Sequence, residues 1–171
     1  TLNIEDQWVL SKYNKLVRDV VTNLDNYELG IAVSNLYDFI WDILCDWYIE
    51  LTKARLQAGG KTALDAQKVL VYVMTNTLKL LHPFMPFITE EIWQALPHTG
   101  ESIMVSEFPR YREELNFAAE EMEFERVVNA IRAIRNARTQ MNVPPSRKAK
   151  VYVETEYKEI FERGIPFMQR L

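Results

Sequence analysis

Few residues in this chain have the means to do chemistry. Cys45 is the single thiol of the 171 residues, and His82 and His98 are the two imidazoles. A Cys45/His82 pair would supply a nucleophile and its base. Cys45, however, lies between Trp41 and Trp47 in the most apolar part of the chain, where a small buried thiol is the ordinary outcome. His82 precedes Pro83 at a helix end, where an imidazole usually caps free carbonyls, and His98 falls in a connector. The adjacent Glu90 and Glu91 could form an acid/base pair, but neighbours on a helix point about 100° apart. One carboxylate near the positive end of the helix and one in solvent is the expectation. Five scattered glycines make no phosphate loop, and one Cys with two His makes no clustered zinc set. These residues point to no catalytic site and no metal site.

The cations are better organised. The net charge of −4 argues against a polyanionic partner, but the average hides a division. Residues 1–109 hold 8 Lys and Arg against 14 Asp and Glu, whereas residues 110–171 hold 12 against 10. Within residues 126–150, Arg126, Arg132, Arg135, Arg138, Arg147, Lys148 and Lys150 occur with no acidic residue among them. A solvated helix face normally mixes signs, so this run reads as a candidate phosphate-contacting surface. On a helix, Arg132, Arg135 and Arg138 step by about 300° each and share one arc. Lys12, Lys15 and Arg18 form a similar row near the start, weakened by Asp19.

Helices must position these groups. Apolar residues recur at helical spacing as Ile4, Trp8, Val9, Tyr13, Leu16, Val17, Val20 and Leu24, with Asn3 as N-cap and Asp6 in the first turn. A second run from about Glu28 to Leu56 carries Leu29, Ala32, Val33, Leu36, Ile40, Ile43, Leu44, Trp47 and Leu51 on one stripe, with Phe39, Trp41, Cys45 and Tyr48 off it. A helix apolar on more than one side touches more than one neighbour and should be central. Trp41, Trp47, Tyr48 and Trp93 are accordingly expected in the core rather than as a base-stacking platform. Gly59 and Gly60 break the chain, and Thr62 with Asp65 suggests the next start. That helix should end near Leu81, because Pro83 disfavours helix at His82 and has no amide to donate. Pro86 suits the first turn of a new helix, leaving Phe84, Met85, Phe87, Ile88, Ile92 and Trp93 to pack the corner. Residues 97–112 read as an extended connector, residues 117–140 as a long helix ended by "NVPPS", Lys148 to Glu154 as a half-buried strand, and the remainder as a helix interrupted at Gly164 and Pro166.

The expected fold is therefore mainly α: a helical bundle over residues 1–140, with residues 141–171 beginning a small α+β subdomain whose other strands lie outside this sequence. The opening Thr1 and the ending at Leu171 in mid-pattern suggest a piece of a longer polypeptide. No apolar run approaches the ~18 residues needed to cross a bilayer, so no membrane partner is expected. With no signal-peptide pattern and a lone cysteine, the cytoplasm is the expected compartment. From the residues alone three readings stay open: an RNA-docking domain, a helical protein-interaction or scaffold bundle whose basic edge meets an acidic protein, and a thiol enzyme built on Cys45.

Four stretches narrow the choice: "YDFIWDILCDWYIELTK" (37–53), "LLHPFMPFITEEIWQALP" (80–97), "GESIMVSEFP" (100–109) and "MNVPPSRKAKVYVE" (141–154). Together they resemble the C-terminal, tRNA-binding part of the bacterial valine–tRNA ligases, class I aminoacyl-tRNA synthetases. The equivalent region of the isoleucine enzymes is similar in looser form. The resemblance implies a helical anticodon-binding bundle that docks the anticodon stem-loop of a tRNA for valine. It also implies that ATP is used in a separate catalytic domain of the parent chain, with no cofactor in this part. A C-terminal coiled coil of the same parent chain would be a further partner. The H-I-G-H and K-M-S-K-S signatures of that catalytic domain have no counterpart here. No base-reading residue is carried over. The expected tRNA-contacting residues are Arg132, Arg135, Arg138, Arg147, Lys148 and Lys150, with Lys12, Lys15 and Arg18.

Overall fold

The computed structural model describes residues 2–144 and 147–170. Helices dominate, and no strand occurs among the described residues. The chain forms two compact units, Thr1–Ala118 and Ala119–Leu171. The sequence reading drew its boundary at 140. The observed division comes earlier because the long helix that follows Ala118 packs with the last helix of the chain.

In the first unit, α1 (Ile4–Asp25) starts at Asn3, whose amide donates to the Asp6 carboxylate at 3.1 Å. Its stripe of Trp8, Val9, Tyr13, Leu16, Val17 and Val20 is buried as the spacing required. The helix ends with Tyr27 in the left-handed region at φ 60°, which lets the Glu28 amide reach the Asn23 carbonyl at 2.8 Å.

The second helical run is where a 3.6-residue period fails. It comprises α2 (Leu29–Asp38), a π-helical segment (Phe39–Ile49) and α3 (Glu50–Ala58). Bonding from i to i+5 widens the turn, so inward positions drift from a strict three-and-four spacing. Phe39 and Leu44, five apart, are buried with Trp47 and Tyr48. Ile40 and Ile43, placed on the core stripe by the sequence, are only half-buried. Trp41, also expected in the core, is 53% exposed, so that expectation is corrected for Trp41 and holds for Trp47, Tyr48 and Trp93. The run packs against α1 at its first half and against α4 at its end, the central position expected of it.

Helix α4 (Gly60–Leu81) begins at Gly60 rather than at Thr62, because Gly59 and Gly60 adopt φ of 71° and 81° and make the reversal themselves. It stops at Leu81, and α5 (Pro86–Gln94) opens on Pro86. The corner between them is less packed than its composition suggested. Trp93 is 1% exposed, but Phe87 is 90% exposed, and Met85, Ile88 and Ile92 are exposed as well. Thr89, buried between them, closes the corner instead: its hydroxyl donates to the Met85 carbonyl at 2.8 Å and meets His82 Nδ1 at 2.7 Å. The connector after α5 is not wholly extended, for Ile103–Val105 and Glu113–Leu115 each form one 3-10 turn.

A buried ionic knot ties the first unit together. Asp6 and Glu5 are almost fully buried, and Arg55 reaches both: its Nη1 and Nη2 each lie 2.9 Å from an Asp6 oxygen, and Nη1 lies 2.5 Å from Glu5. Arg55 also donates to the Thr62 carbonyl at 2.9 Å, and the Tyr48 hydroxyl donates to Asp6 at 2.8 Å. Buried charges persist only when paired and hydrogen-bonded, and here the start of α1, the π segment, α3 and the start of α4 share one set of partners. Burial, followed by the Asp6 carboxylate beside it, raises the Tyr48 phenol well above its ordinary value, so it stays a donor.

In the second unit, α6 (Ala118–Gln140) buries Phe124, Val127, Val128 and Ile131. The last helix, α7 (Lys158–Arg170), meets it edge-on through Phe167, 5.4 Å from Phe124. The expected interruptions at Gly164 and Pro166 do not occur: α7 runs through both. Gly164 is there for contact, since a Cβ on it would sit 2.8 Å from a Val127 methyl. The expected strand from Lys148 to Glu154 is absent. Among the described residues the segment has no strand pairing, and Val151, Tyr152 and Val153 are exposed. A single strand has no ladder in which to satisfy its amides and carbonyls. Pro145 and Ser146, part of the expected helix stop, lie outside the described residues.

Candidate nucleic-acid interface

The placement of the basic residues follows from which face of α6 is apolar. With Phe124, Val127, Val128 and Ile131 turned inward, Arg135 is exposed and Arg132 and Arg138 are half-buried at the edges of the same arc. Glu120 and Glu121 in the first turn and Arg138 in the last match the helix dipole, which concentrates the cations at the C-terminal end.

Arg132 and Arg138 have partners on α6 and on the segment after it. Arg132 lies 3.6 Å from Glu125 and 3.4 Å from the Asn129 amide oxygen. Glu125 lies one position outside the acid-free window of residues 126–150 and two helical turns from Arg132. Arg138 Nη2 donates to the Pro144 carbonyl at 2.9 Å and to the Arg147 carbonyl at 2.7 Å. Arg126, at the start of the run, lies 3.7 Å from the Tyr157 ring centre, a cation–π contact with the residue that precedes α7. Arg163 lies 3.4 Å from Glu123. Arg147, Lys148 and Lys150 are exposed on the segment after α6.

The end of α6 is closed by one conformational choice. Asn142 adopts φ 52°, which brings the Val143 amide to the Arg138 carbonyl at 2.8 Å and the Asn142 amide to the Thr139 carbonyl at 3.1 Å. Asparagine tolerates this conformation better than most residues. The chain therefore folds back over the last turn of the helix.

The second candidate row lies on α1 in the other unit. Lys12 and Lys15 are half-buried beside the core positions Ser11, Tyr13, Asn14 and Leu16. Arg18 is exposed and pairs with Asp19 at 3.0 Å, the neighbour expected to weaken the row.

The potentially reactive groups have other employment. Cys45 is half-buried, less enclosed than the sequence suggested, and burial, then Asp46, pushes its thiol up and away from the thiolate form. His82 binds the Thr89 hydroxyl rather than a free carbonyl. His98 stacks on Trp93 with ring centres 3.9 Å apart and places Nδ1 2.8 Å from the Leu96 carbonyl. Glu90 accepts from Gln94, the Ser102 hydroxyl and the Ile103 amide; these bonds, Gln94 first, hold its carboxyl below the usual range. Glu91 is exposed. No group of three or more His, Cys, Asp or Glu suited to a metal occurs among the described residues, and no helix there is long and apolar enough to cross a membrane.

Residues 6–153 match the family described as "Anticodon-binding domain of tRNA ligase". Among curated relatives, the valine–tRNA ligase of Thermotoga maritima is 45% identical over 163 residues, 93% of this chain and 19% of the relative. That of Geobacillus stearothermophilus is 47% identical over 160 residues, 92% of this chain and 18% of the relative. That of Clostridium acetobutylicum is 45% identical over 172 residues, 99% of this chain and 20% of the relative. The chain spans about a fifth of the length of the curated relatives it matches.

Proposed function

Because this chain belongs to the anticodon-binding domain family of tRNA ligases, we propose that it docks the anticodon stem-loop of a tRNA for valine. In this reading it serves a valine–tRNA ligase whose ATP-dependent chemistry is carried by other parts of the parent chain, in the cytoplasm. What supports the reading is the exposure of Arg135 on α6 and of Arg147, Lys148 and Lys150 on the segment after it, in a stretch with no acidic residue from 126 to 150. An anticodon stem presents phosphates that such side chains can neutralise, and each neutralised phosphate releases counterions. Arg132 and Arg138 belong to the same surface, with part of their capacity used internally. Lys12, Lys15 and Arg18 are a second candidate row, on the other unit. The three relatives cited above, each named valine–tRNA ligase, support valine over isoleucine as the cognate amino acid.

The test is binding of the 171-residue chain to a valine tRNA, and to one altered only in its anticodon, at two salt concentrations. Binding that weakens with salt supports phosphate docking, and a difference between the two RNAs adds anticodon recognition. Binding to an acidic polypeptide of matched charge as tightly as to tRNA would favour a protein-interaction bundle instead.

A further inference from the structure

Sequence alone makes Arg138 one more cation in a row of three, but its hydrogen bonds set it apart. The backbone and side chain of this residue both act on the segment that follows α6. Its carbonyl accepts from the Val143 amide, and its Nη2 donates to the carbonyls of Pro144 and Arg147. The Arg147 amide in turn donates to the Pro144 carbonyl at 3.0 Å, so Pro144 and Arg147 are bonded both to each other and to the same guanidinium nitrogen. Beyond this point the chain has no strand partner and no helix until Lys158. Arg147, Lys148 and Lys150 would otherwise sit on a backbone with no fixed relation to α6.

We propose that Arg138 is a positioning residue: its guanidinium ties the carbonyls of Pro144 and Arg147 to the last turn of α6 and so assembles Arg147, Lys148 and Lys150 with Arg135 into one phosphate-gripping cluster. The proposal rests on the RNA-docking reading and assigns Arg138 a different task from that of its neighbours. Repulsion explains why a tether is needed. Three cations within four residues, brought beside Arg135, disfavour the gathered arrangement unless something offsets it. Two charge-assisted hydrogen bonds to carbonyls do so, and they require the planar guanidinium, whose two donors leave one nitrogen in fixed directions. A lysine would keep the charge and lose that geometry.

The experiment compares Arg138→Lys, Arg138→Met and the triple variant Arg147→Gln/Lys148→Gln/Lys150→Gln in the 171-residue chain. The readouts are the salt dependence of valine tRNA binding and hydrogen exchange of the Arg147 amide without RNA. A single lost phosphate contact flattens the slope of log K against log salt by about 0.7 to 0.9. The expected result is that Arg138→Lys, though charge-neutral, flattens the slope by more than one such contact, speeds exchange at Arg147, and adds nothing further in the triple background. If Arg138→Lys behaves as wild type in both readouts while Arg138→Met loses one contact additively with the triple variant, Arg138 grips a phosphate itself and the proposal falls. If the triple variant binds tRNA like wild type at both salt concentrations, this segment does not dock RNA, and the premise falls with it. Circular dichroism of each variant guards against a loss of helix being read as a loss of contact.

Discussion

At the scale of single residues, His82, His98 and Glu90, whose types invited catalytic readings, hold connections. Glu90 fastens the turn at Ser102 and Ile103 to α5, and its lowered carboxyl fixes the sign of a pH effect. A carboxyl depressed in the folded state contributes stability that is present above its unfolded value and is lost as pH falls through the folded one. Replacing Glu90 with Gln should therefore speed exchange of the Ile103 amide near neutrality. The difference from wild type should close as pH drops below the ordinary carboxylate range. The buried aromatics act on a larger energy scale. Trp47 and Trp93 are 3% and 1% exposed, and truncating either to Ala should cost about 3 to 5 kcal/mol through lost burial and the cavity left behind. A thermal melt of either variant at wild-type stability would contradict this. Cys45, with its thiol pushed up, should alkylate slowly in the folded chain. These sites were visible in the sequence as residue types. Their partners were not, because the Glu90–Ser102, His82–Thr89 and Arg55–Asp6 pairs depend on where the chain returns.

At the scale of elements, two helix ends share a device. Both α1 and α6 close with a non-glycine residue at positive φ, Tyr27 at 60° and Asn142 at 52°. Asparagine accepts that conformation readily, whereas tyrosine does not. Tyr27 is 89% exposed and loses little if removed, so Tyr27→Gly should stabilise the chain by about 0.5 to 1 kcal/mol in chemical denaturation. Gly164 is the opposite case. Helix propensity favours Ala there by about 1 kcal/mol, but the new methyl would meet the stiff, branched Val127 at 2.8 Å. Overpacking costs about 1 to 3 kcal/mol, so Gly164→Ala should be net destabilising, and Val127→Ala in the same chain should recover part of the loss. The sequence read Gly164 and Pro166 as breakers because it weighed only local preference. The contact with α6 explains the glycine, and α7 accommodates the proline at the cost of one backbone bond. The π segment shows the same limit. Apolar periodicity assumes a turn of fixed width, and along the wider turn Phe39 and Tyr48, which lie off the expected stripe, are buried while Ile40 and Ile43 on it are half-buried.

At the scale of the whole chain, charge divides the surface. Between Arg18 and Lys53 there are seven Asp and Glu and no Lys or Arg. The exposed row Leu29, Val33, Tyr37 and Trp41 on that stretch is therefore a poor place for a polyanion, despite its aromatic rings. Trp41→Ala should leave tRNA affinity unchanged within about twofold, whereas the Arg147/Lys148/Lys150 variant should lower it and flatten its salt slope. A large loss on Trp41→Ala, measured by filter binding, would move the interface to α2 and the π segment that follows it. The sequence by itself determined the helices and most of their limits, because apolar spacing, prolines and paired glycines act over a few neighbouring residues. It determined the basic run for the same reason, and the four quoted stretches placed the chain among anticodon-binding domains. Only the tertiary structure decided which cations are engaged, that Lys148 to Glu154 forms no strand, and that α6 belongs with α7. Each of those outcomes depends on groups distant in sequence becoming neighbours, and pairing energies of that kind leave no periodic trace along the chain.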